Sequence, residues 1–290
     1  MSVSGDSTLS PAADLHLHSN ASDGSDPPAR VMDRAATAGL LCVSLTDHDT
    51  LDGLPEARRR AQELGLDFIP GIELSTLYGD RPIHLLGHFP QEGDGPLLAW
   101  QQGQRRRREG RAKAMIRRLG SLGLRLEYEE LAGLCAGAAP GRGQLGSLLL
   151  RKGLVASREE AFDRYLGEGR PAYIPLEGLA PEEGVRLLLA AGAIPTLAHP
   201  ALSRADSLLP SLCRAGLRGI EVDHPHHTPQ ARERYRRLAR RHGLLALGGS
   251  DCHGDSPGPE LLGSVRMPLA CAEALKRMAG QAVSGRRGRR

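Results

Sequence analysis

Seven short apolar runs alternate with helix-like segments, and this alternation restricts the chain to a small set of folds. Runs of this length and composition are typical of buried strands. Strand–helix alternation predicts a parallel sheet, and seven strands within 290 residues indicate closure into an α/β barrel. The runs are ADLHLHS (13–19), CVSLTDH (42–48), DFIPGIEL (67–74), IHLLGHF (83–89), IPTLAHP (194–200), GIEVDHP (219–225) and LLALGGSDCH (244–253).

Four of the intervening segments carry start and stop signals for helices. The segments 28–39, 53–65, 180–192 and 228–243 each have a proline at or near the first turn and a glycine at the end. Proline is tolerated at the start of a helix, and glycine commonly follows its last turn. These segments are therefore predicted to be the helices that cover the barrel.

One connection is far longer than a crossover requires. No strand-like run occurs between Phe89 and Ile194, whereas several helical patterns do. We expect a barrel formed by 12–90 and 180–280, a small inserted helical subdomain at 91–179, and a disordered basic tail at 281–290. The arginine run 105–108 and the tail are each read as a solvated surface or as a nucleic-acid contact.

Metal-capable side chains recur at the carboxyl-terminal ends of the runs, where barrel enzymes build their active sites. One histidine or aspartate at a strand end has ordinary explanations, such as a structural hydrogen bond or a turn cap. A whole set at one end is different, because each unpaired buried polar group costs about 1–3 kcal/mol, and bound cations would offset that cost. The set is His16, His18, Asp23, His48, Glu73, His84, His199, Asp251 and His253.

Six imidazoles and three carboxylates favour Mn²⁺, Fe²⁺ or Zn²⁺. The five cysteines are odd in number and widely spaced, which argues against a disulfide framework and a cysteine zinc site. Nine protein ligands are too many for one ion, so Glu73 is a candidate to bridge two of two or three ions. Asp47, beside His48, is a candidate to orient a ligand or to cap the turn.

The motifs HLHSNASDGS, TDHDT, GIE, IHLLG, AHP and SDCHG resemble, in order and spacing, those of the PHP (polymerase and histidinol phosphatase) superfamily. The resemblance covers about residues 13–255. It is strongest to nucleoside 3′,5′-bisphosphate phosphatases and 5′-3′ exoribonucleases, whose helical insertion ends in a sequence like YLGEGRPAYIP (165–175). It implies a distorted seven-stranded (βα)7 barrel, a trinuclear site, and metal-activated water as the nucleophile. Of the candidate ions, Mn²⁺ is the one we expect.

The resemblance also implies a division of the nine ligands. His16, His18, Glu73 and Asp251 would hold one ion; Glu73, His84 and His199 a second; and Asp23, His48 and His253 a third. Arg142, Gln144 and His227 are the expected substrate contacts. The family sequence GRPHIA reads GRGQLG here, so Gly143 and Gln144 replace a proline and a histidine.

The expected function is hydrolysis of phosphate esters of nucleotides, either a 3′,5′-bisphosphonucleotide such as pAp or the 5′ ends of short RNA. Two alternatives stay open: a small-molecule phosphatase of the histidinol-phosphatase type, and a non-catalytic metal-binding module. The sequence has no apolar run of about 18 residues and no secretory signal at its start, so we expect a cytoplasmic protein with no membrane contact. No obligate protein partner is evident.

Overall fold

Eight strands form a single sheet in the computed structural model, which describes residues 12–93, 95–135, 140–175, 178–254 and 261–287, with side chains up to residue 281. The strand order is β7-β6-β5-β4-β3-β2-β1-β8. The strands are β1 Ala12–Leu17, β2 Cys42–Leu45, β3 Asp67–Tyr78, β4 Arg81–His88, β5 Ile194–Leu197, β6 Gly219–Asp223, β7 Leu245–Gly248 and β8 Met267–Pro268.

The sheet closes on itself where the segment after β7 meets the end of β1. The backbone N–H of Asp251 donates to the carbonyl of His16 at 2.9 Å, and that of His18 to the carbonyl of Cys252 at 3.0 Å. Gly249 permits this approach, because a Cβ there would lie 2.4 Å from the Cβ of His16. The predicted α/β barrel is confirmed, with the two-residue β8 added antiparallel to β1.

The expectation of an all-parallel sheet is wrong for β4, which is antiparallel to both β3 and β5. β3 and β4 form one hairpin, whose turn includes Gly79 at φ 61°. A parallel pairing would have needed a long crossover instead. Because β4 runs backwards, His84 lies towards the end of the barrel where the other strands finish. His88 lies at the opposite end and pairs with Ile194, the first residue of β5.

Helices cover the barrel and form the long connection between β4 and β5. The four helices predicted from the proline and glycine signals are confirmed, as Pro28–Thr37, Leu54–Leu64, Pro181–Ala190 and Pro229–His242. A π-helical turn, Phe162–Leu166, extends the helix Arg158–Ala161, and a 3₁₀ turn, Asp206–Leu208, precedes the helix Leu209–Ala215. The helices are α1 Pro28–Thr37, α2 Leu54–Leu64, α3 Pro96–Ser121, α4 Tyr128–Gly133, α5 Arg142–Arg151, α6 Arg158–Ala161, α7 Pro181–Ala190, α8 Pro200–Ser203, α9 Leu209–Ala215, α10 Pro229–His242 and α11 Leu269–Arg287.

The helices of the long connection pack around an apolar cluster of their own. The cluster runs from α3 to the segment after the π-helical turn, while the first turn of α3 packs against the barrel core through Leu97. These contacts agree with a helical insertion, whose exact limits, 91–179, stay a prediction. Members of the cluster include Met115, Leu119, Leu131, Leu149 and Leu166.

The last helix continues to Arg287, so the backbone of 281–287 is helical where we expected a disordered tail. Residues 288–290 of that tail lie outside the described residues. None of the helices in the described part of the chain combines the length and the apolar character needed to cross a bilayer.

Candidate metal centre

Glu73 lies on β3 at the centre of the predicted ligands and is completely buried. Its Oε2 is 2.9 Å from Nε2 of His16 and 3.0 Å from Nε2 of His18. Its Oε1 is 2.9 Å from Nδ1 of His84 and 3.1 Å from Nε2 of His199. The two oxygens of one carboxylate therefore face two separate pairs of imidazoles, which is the placement that a bridging ligand requires.

Four donor atoms converge beyond the end of β1, where Asp251 joins His16, His18 and Glu73. The Nε2 atoms of His16 and His18 are 3.0 Å apart, and Oδ1 of Asp251 lies 3.3 and 3.1 Å from them. Ligands bound at about 2.1 Å to one ion lie about 3.0–3.4 Å apart. The separations thus fit a shared cation.

A second group combines His48, Glu73 and His84, close to His199. Nδ1 of His48 lies 3.4 Å from Oε2 of Glu73. The buried Nδ1 atoms of His48 and His84 have no hydrogen-bond partner among the described residues, although both lie close to Glu73. A short distance alone does not make a hydrogen bond. The positions of these atoms therefore fit metal ligands directed at a common point better than hydrogen-bond partners of Glu73.

The third group lies nearest to solvent and contains His18, Asp23, His48 and His253, whose donor atoms are within 4.8 Å of one another. Nε2 of His253 is 3.3 Å from Oδ1 of Asp23, and Nε2 of His48 is 3.9 Å from Oδ2. All nine predicted side chains therefore meet in one cluster. Their roles as ligands, and the division among ions, stay predictions, and His48 is placed to serve either of two groups.

The charged groups of the cluster strongly shift one another's pKa values. Burial by itself lowers the pKa values of His16 and His18, but the carboxylates of Glu73 and Asp251 outweigh it. The pKa of His18 is raised to about 10, and that of His16 well above its usual range. Burial likewise raises the pKa of Glu73, but the surrounding imidazoles hold it well below the ordinary value. Glu73 is thus a buried carboxylate that favours its ionised form, an environment that favours cations.

Backbone strain coincides with the cluster. His199 has φ 26° and Asp251 φ 53°, and Asp49, next to His48, has φ 58°. Non-glycine residues in the left-handed region are costly and concentrate at functional sites. Three of the five such residues in the described chain therefore lie at the site.

Sequence reasoning did not assign a role to Glu221, which lies in the sixth apolar run. Glu221 is completely buried on β6. Its Oε1 lies 3.0 Å from Nδ1 of His16, and its Oε2 accepts a hydrogen bond from the backbone N–H of His199 at 2.7 Å. It therefore orients two of the predicted ligands, and its only sequence signal was its position.

Asp47 anchors the loop that carries Asp23, a role that the sequence did not predict. It accepts hydrogen bonds from the backbone N–H of Ser19 at 2.7 Å and from the hydroxyl of Ser22 at 2.6 Å. The buried carboxylate therefore holds the loop against β2.

Two of the three histidines after β6, His224 and His227, are buried, whereas His226 is exposed. His224 is buried, with Nε2 at 3.5 Å from Oδ2 of Asp251. His227 is buried beneath it, and Nδ1 of His227 lies 2.9 Å from the carbonyl of Val222. This placement does not support the predicted substrate contact of His227.

A cleft of about 420 Å³ opens between the cluster and the inserted helices. Asp23 and His48 line one wall, and Gln144 and Arg158 line the other. Arg108 also lines the cleft and forms an ion pair with Asp49. This member of the arginine run is therefore part of the site rather than of a solvated face.

The predicted substrate contacts of the insertion separate in the structure. Gln144 faces the cleft. The guanidinium of Arg142 instead lies 5.3 Å from the ring centre of Tyr173 and 5.9 Å from that of Phe162. Arg142 thus packs within the helical insertion.

Comparison with known proteins agrees with this geometry. The model of the PHP domain family matches residues 14–168. A 3′,5′-nucleoside bisphosphate phosphatase of Chromobacterium violaceum is 32% identical over 272 residues, 89% of this chain and 93% of the relative. A 5′-3′ exoribonuclease of Haemophilus influenzae is 32% identical, over 83% of this chain and 89% of the relative. A solved structure described as a metal-dependent phosphoesterase of Bifidobacterium adolescentis matches with a TM-score of 0.81 at 28% identity, covering 92% and 96% of the two chains. The resemblance inferred from the motifs is confirmed.

Proposed function

Because the chain belongs to the PHP domain family and is a hydrolase of phosphoric ester bonds, we propose that it acts on phosphate esters of nucleotides. The proposed substrates are a 3′,5′-bisphosphonucleotide such as pAp and, less directly, the 5′ end of short RNA. The names of the Chromobacterium and Haemophilus relatives support this substrate class.

We further propose that the nine clustered side chains hold two to three divalent ions, with Mn²⁺ preferred and Fe²⁺ or Zn²⁺ as alternatives. When bound, such ions supply activated water and neutralise charge on phosphoryl oxygens. The protein's own residues orient the metal-binding donor atoms. Glu73 presents one oxygen to each imidazole pair, and Glu221 holds His16 in place.

The proposed substrate class rests on one observation: the cleft is continuous with the ligand cluster, because Asp23 and His48 line both. About 420 Å³ is within the usual range for small-molecule sites of about 300–1,000 Å³. The cleft reaches from Asp23 and His48 to guanidinium groups on α3 and α6. A ligand with phosphate at the cluster would therefore extend towards positive charge, which suits a nucleotide carrying more than one phosphate.

The test compares turnover of pAp, AMP, a 5′-phosphorylated RNA trinucleotide and histidinol phosphate by Mn²⁺-loaded protein. We expect pAp or the RNA to be hydrolysed at least about tenfold more efficiently than AMP or histidinol phosphate. Preference for histidinol phosphate would favour the small-molecule alternative. Two or more bound ions without turnover of any substrate would favour the non-catalytic alternative.

A further inference from the structure

The wall of the cleft formed by α5 lacks the basic group that the family sequence leads us to expect. Gln144 stands there, and its Oε1 accepts a hydrogen bond from the backbone N–H of Gly141 at 3.1 Å. The side-chain carbonyl is thus used to cap the first turn of α5. A neutral amide so engaged is a weaker partner for phosphate than a cation.

The neighbouring substitution, Gly143, makes room for another cation. A Cβ at Gly143 would lie 3.3 Å from Nη2 of Arg158. The guanidinium of Arg158 therefore rests directly over the glycine. A side chain at position 143 would press on this guanidinium and make it shift by a few tenths of an ångström.

Arg158 and Arg108 both line the cleft but differ in their partners. Arg108 is partly buried and its charge is balanced by the ion pair with Asp49. Arg158 begins α6, is exposed, and has no carboxylate within ion-pair distance in the described part of the chain. Its charge remains available to an anion in the cleft.

We propose that Arg158, seated over Gly143, binds the second phosphate of a nucleoside bisphosphate whose scissile phosphate lies at the metal cluster. The planar guanidinium can donate two parallel hydrogen bonds to a phosphate. This inference rests on the proposed function and names its specificity determinant. Arg158 supplies the charge that Gln144 does not.

The experiment measures kcat and KM for pAp, AMP and p-nitrophenyl phosphate with Mn²⁺-loaded wild type, Arg158→Ala, Arg158→Lys and Gly143→Pro. Arg158→Ala should lower kcat/KM for pAp about 10- to 100-fold, mainly by raising KM, as expected for a lost charge-assisted hydrogen bond. Turnover of p-nitrophenyl phosphate, which has no second phosphate, should stay within about twofold. Arg158→Lys should recover part of the loss.

Gly143→Pro should weaken turnover of pAp in the same direction as Arg158→Ala but by less, because proline is tolerated in the first turn of α5 and would shift the guanidinium only slightly. Arg151→Ala, an exposed arginine on the same helix, is the matched control and should behave like wild type. An unchanged preference for pAp in Arg158→Ala, or an equal loss on p-nitrophenyl phosphate, overturns this inference alone. A wild type that does not prefer pAp to AMP overturns the bisphosphonucleotide as the proposed substrate as well.

Discussion

Nδ1 of His16 lies 3.0 Å from Oε1 of Glu221, and both side chains are completely buried. Burial raises the pKa of Glu221, but the charge and hydrogen bond of His16 outweigh it and hold that pKa below its usual range. An ionised carboxylate can only accept, so this contact keeps a proton on Nδ1 of His16. Nε2 is then the atom that can bind a cation.

Glu221→Gln keeps the shape of the side chain but removes the charge that orients His16. We expect Mn²⁺ affinity, measured by calorimetric titration, to fall about 10- to 100-fold, the usual cost of losing such a support. Glu92→Gln, which alters a surface ion pair with Arg58, is the control. Equal affinities for both variants would show that Glu221 does not tune the site.

Asp251→Asn tests the predicted ligand on the segment that closes the barrel. An amide oxygen cannot replace the charge of Oδ1, so hydrolysis should fall more than about 100-fold, beyond the effect of an orienting residue. The melting temperature of the metal-free variant should stay within a few degrees of wild type. Retained turnover would refute a metal-centred mechanism that uses this carboxylate.

Treatment with a chelator should abolish hydrolysis, and added Mn²⁺ should restore it. Ions that bind only the folded state should also stabilise it, by about 4 kcal/mol per site at a thousandfold excess over Kd. Thermal unfolding across a Mn²⁺ series measures this shift. A melting temperature independent of Mn²⁺ would contradict tight binding by the cluster.

His88, which is not one of the predicted ligands, predicts a loss of stability in acid. Burial lowers its pKa to about 4; its Nε2 lies 3.1 Å from the carbonyl of Leu15, and its Nδ1 lacks a hydrogen-bond partner among the described residues. The unfolded chain takes up this proton below about pH 6.5 and the folded protein only near pH 4. The contribution, about 3 kcal/mol, is therefore complete above pH 6.5 and lost as the pH falls towards 4.

His88→Gln keeps a donor for the Leu15 carbonyl but does not titrate. Its unfolding free energy, from denaturant titrations at pH 7 and pH 4.5, should fall less on acidification than that of wild type. The partly exposed His242→Gln should show the wild-type slope. Identical slopes in all three proteins would remove His88 as the source.

Gly249→Ala should strongly destabilise the fold. A Cβ at this position would lie 2.4 Å from Cβ and 2.5 Å from the backbone nitrogen of His16, so the strands must separate. We expect a loss of about 3 kcal/mol or more. Gly110→Ala, in α3 with nothing within 4 Å, should instead stabilise by about 0.5–1 kcal/mol, and denaturant titration distinguishes the two.

The gathering of the site was predictable because strand ends can be located from apolar runs. His199 lies just after β5, separated from it by Ala198, and Asp251 follows β7. The direction of a strand was not predictable in the same way. His84 and His88 share one run and one side of β4, and only the hairpin at Gly79 decides which of them reaches the cluster.

Side-chain positions that depend on packing between distant parts of the chain could not be predicted from the sequence. The contact of Glu221 with His16 joins residues 205 positions apart, and no local pattern marks it. Arg158 reaches the cleft only because the inserted helices pack over the barrel end. The arginine run on α3 looked like one solvated surface, yet Arg108 pairs with Asp49 while Arg105 pairs with its helical neighbour Glu109.

The closure of the barrel beside His16 has a consequence for biosynthesis. A growing chain on the ribosome carries His16 and His18 more than 200 residues before Asp251 and His253 are added. The full cluster therefore cannot assemble before the segment after β7 has been synthesised and has reached the end of β1.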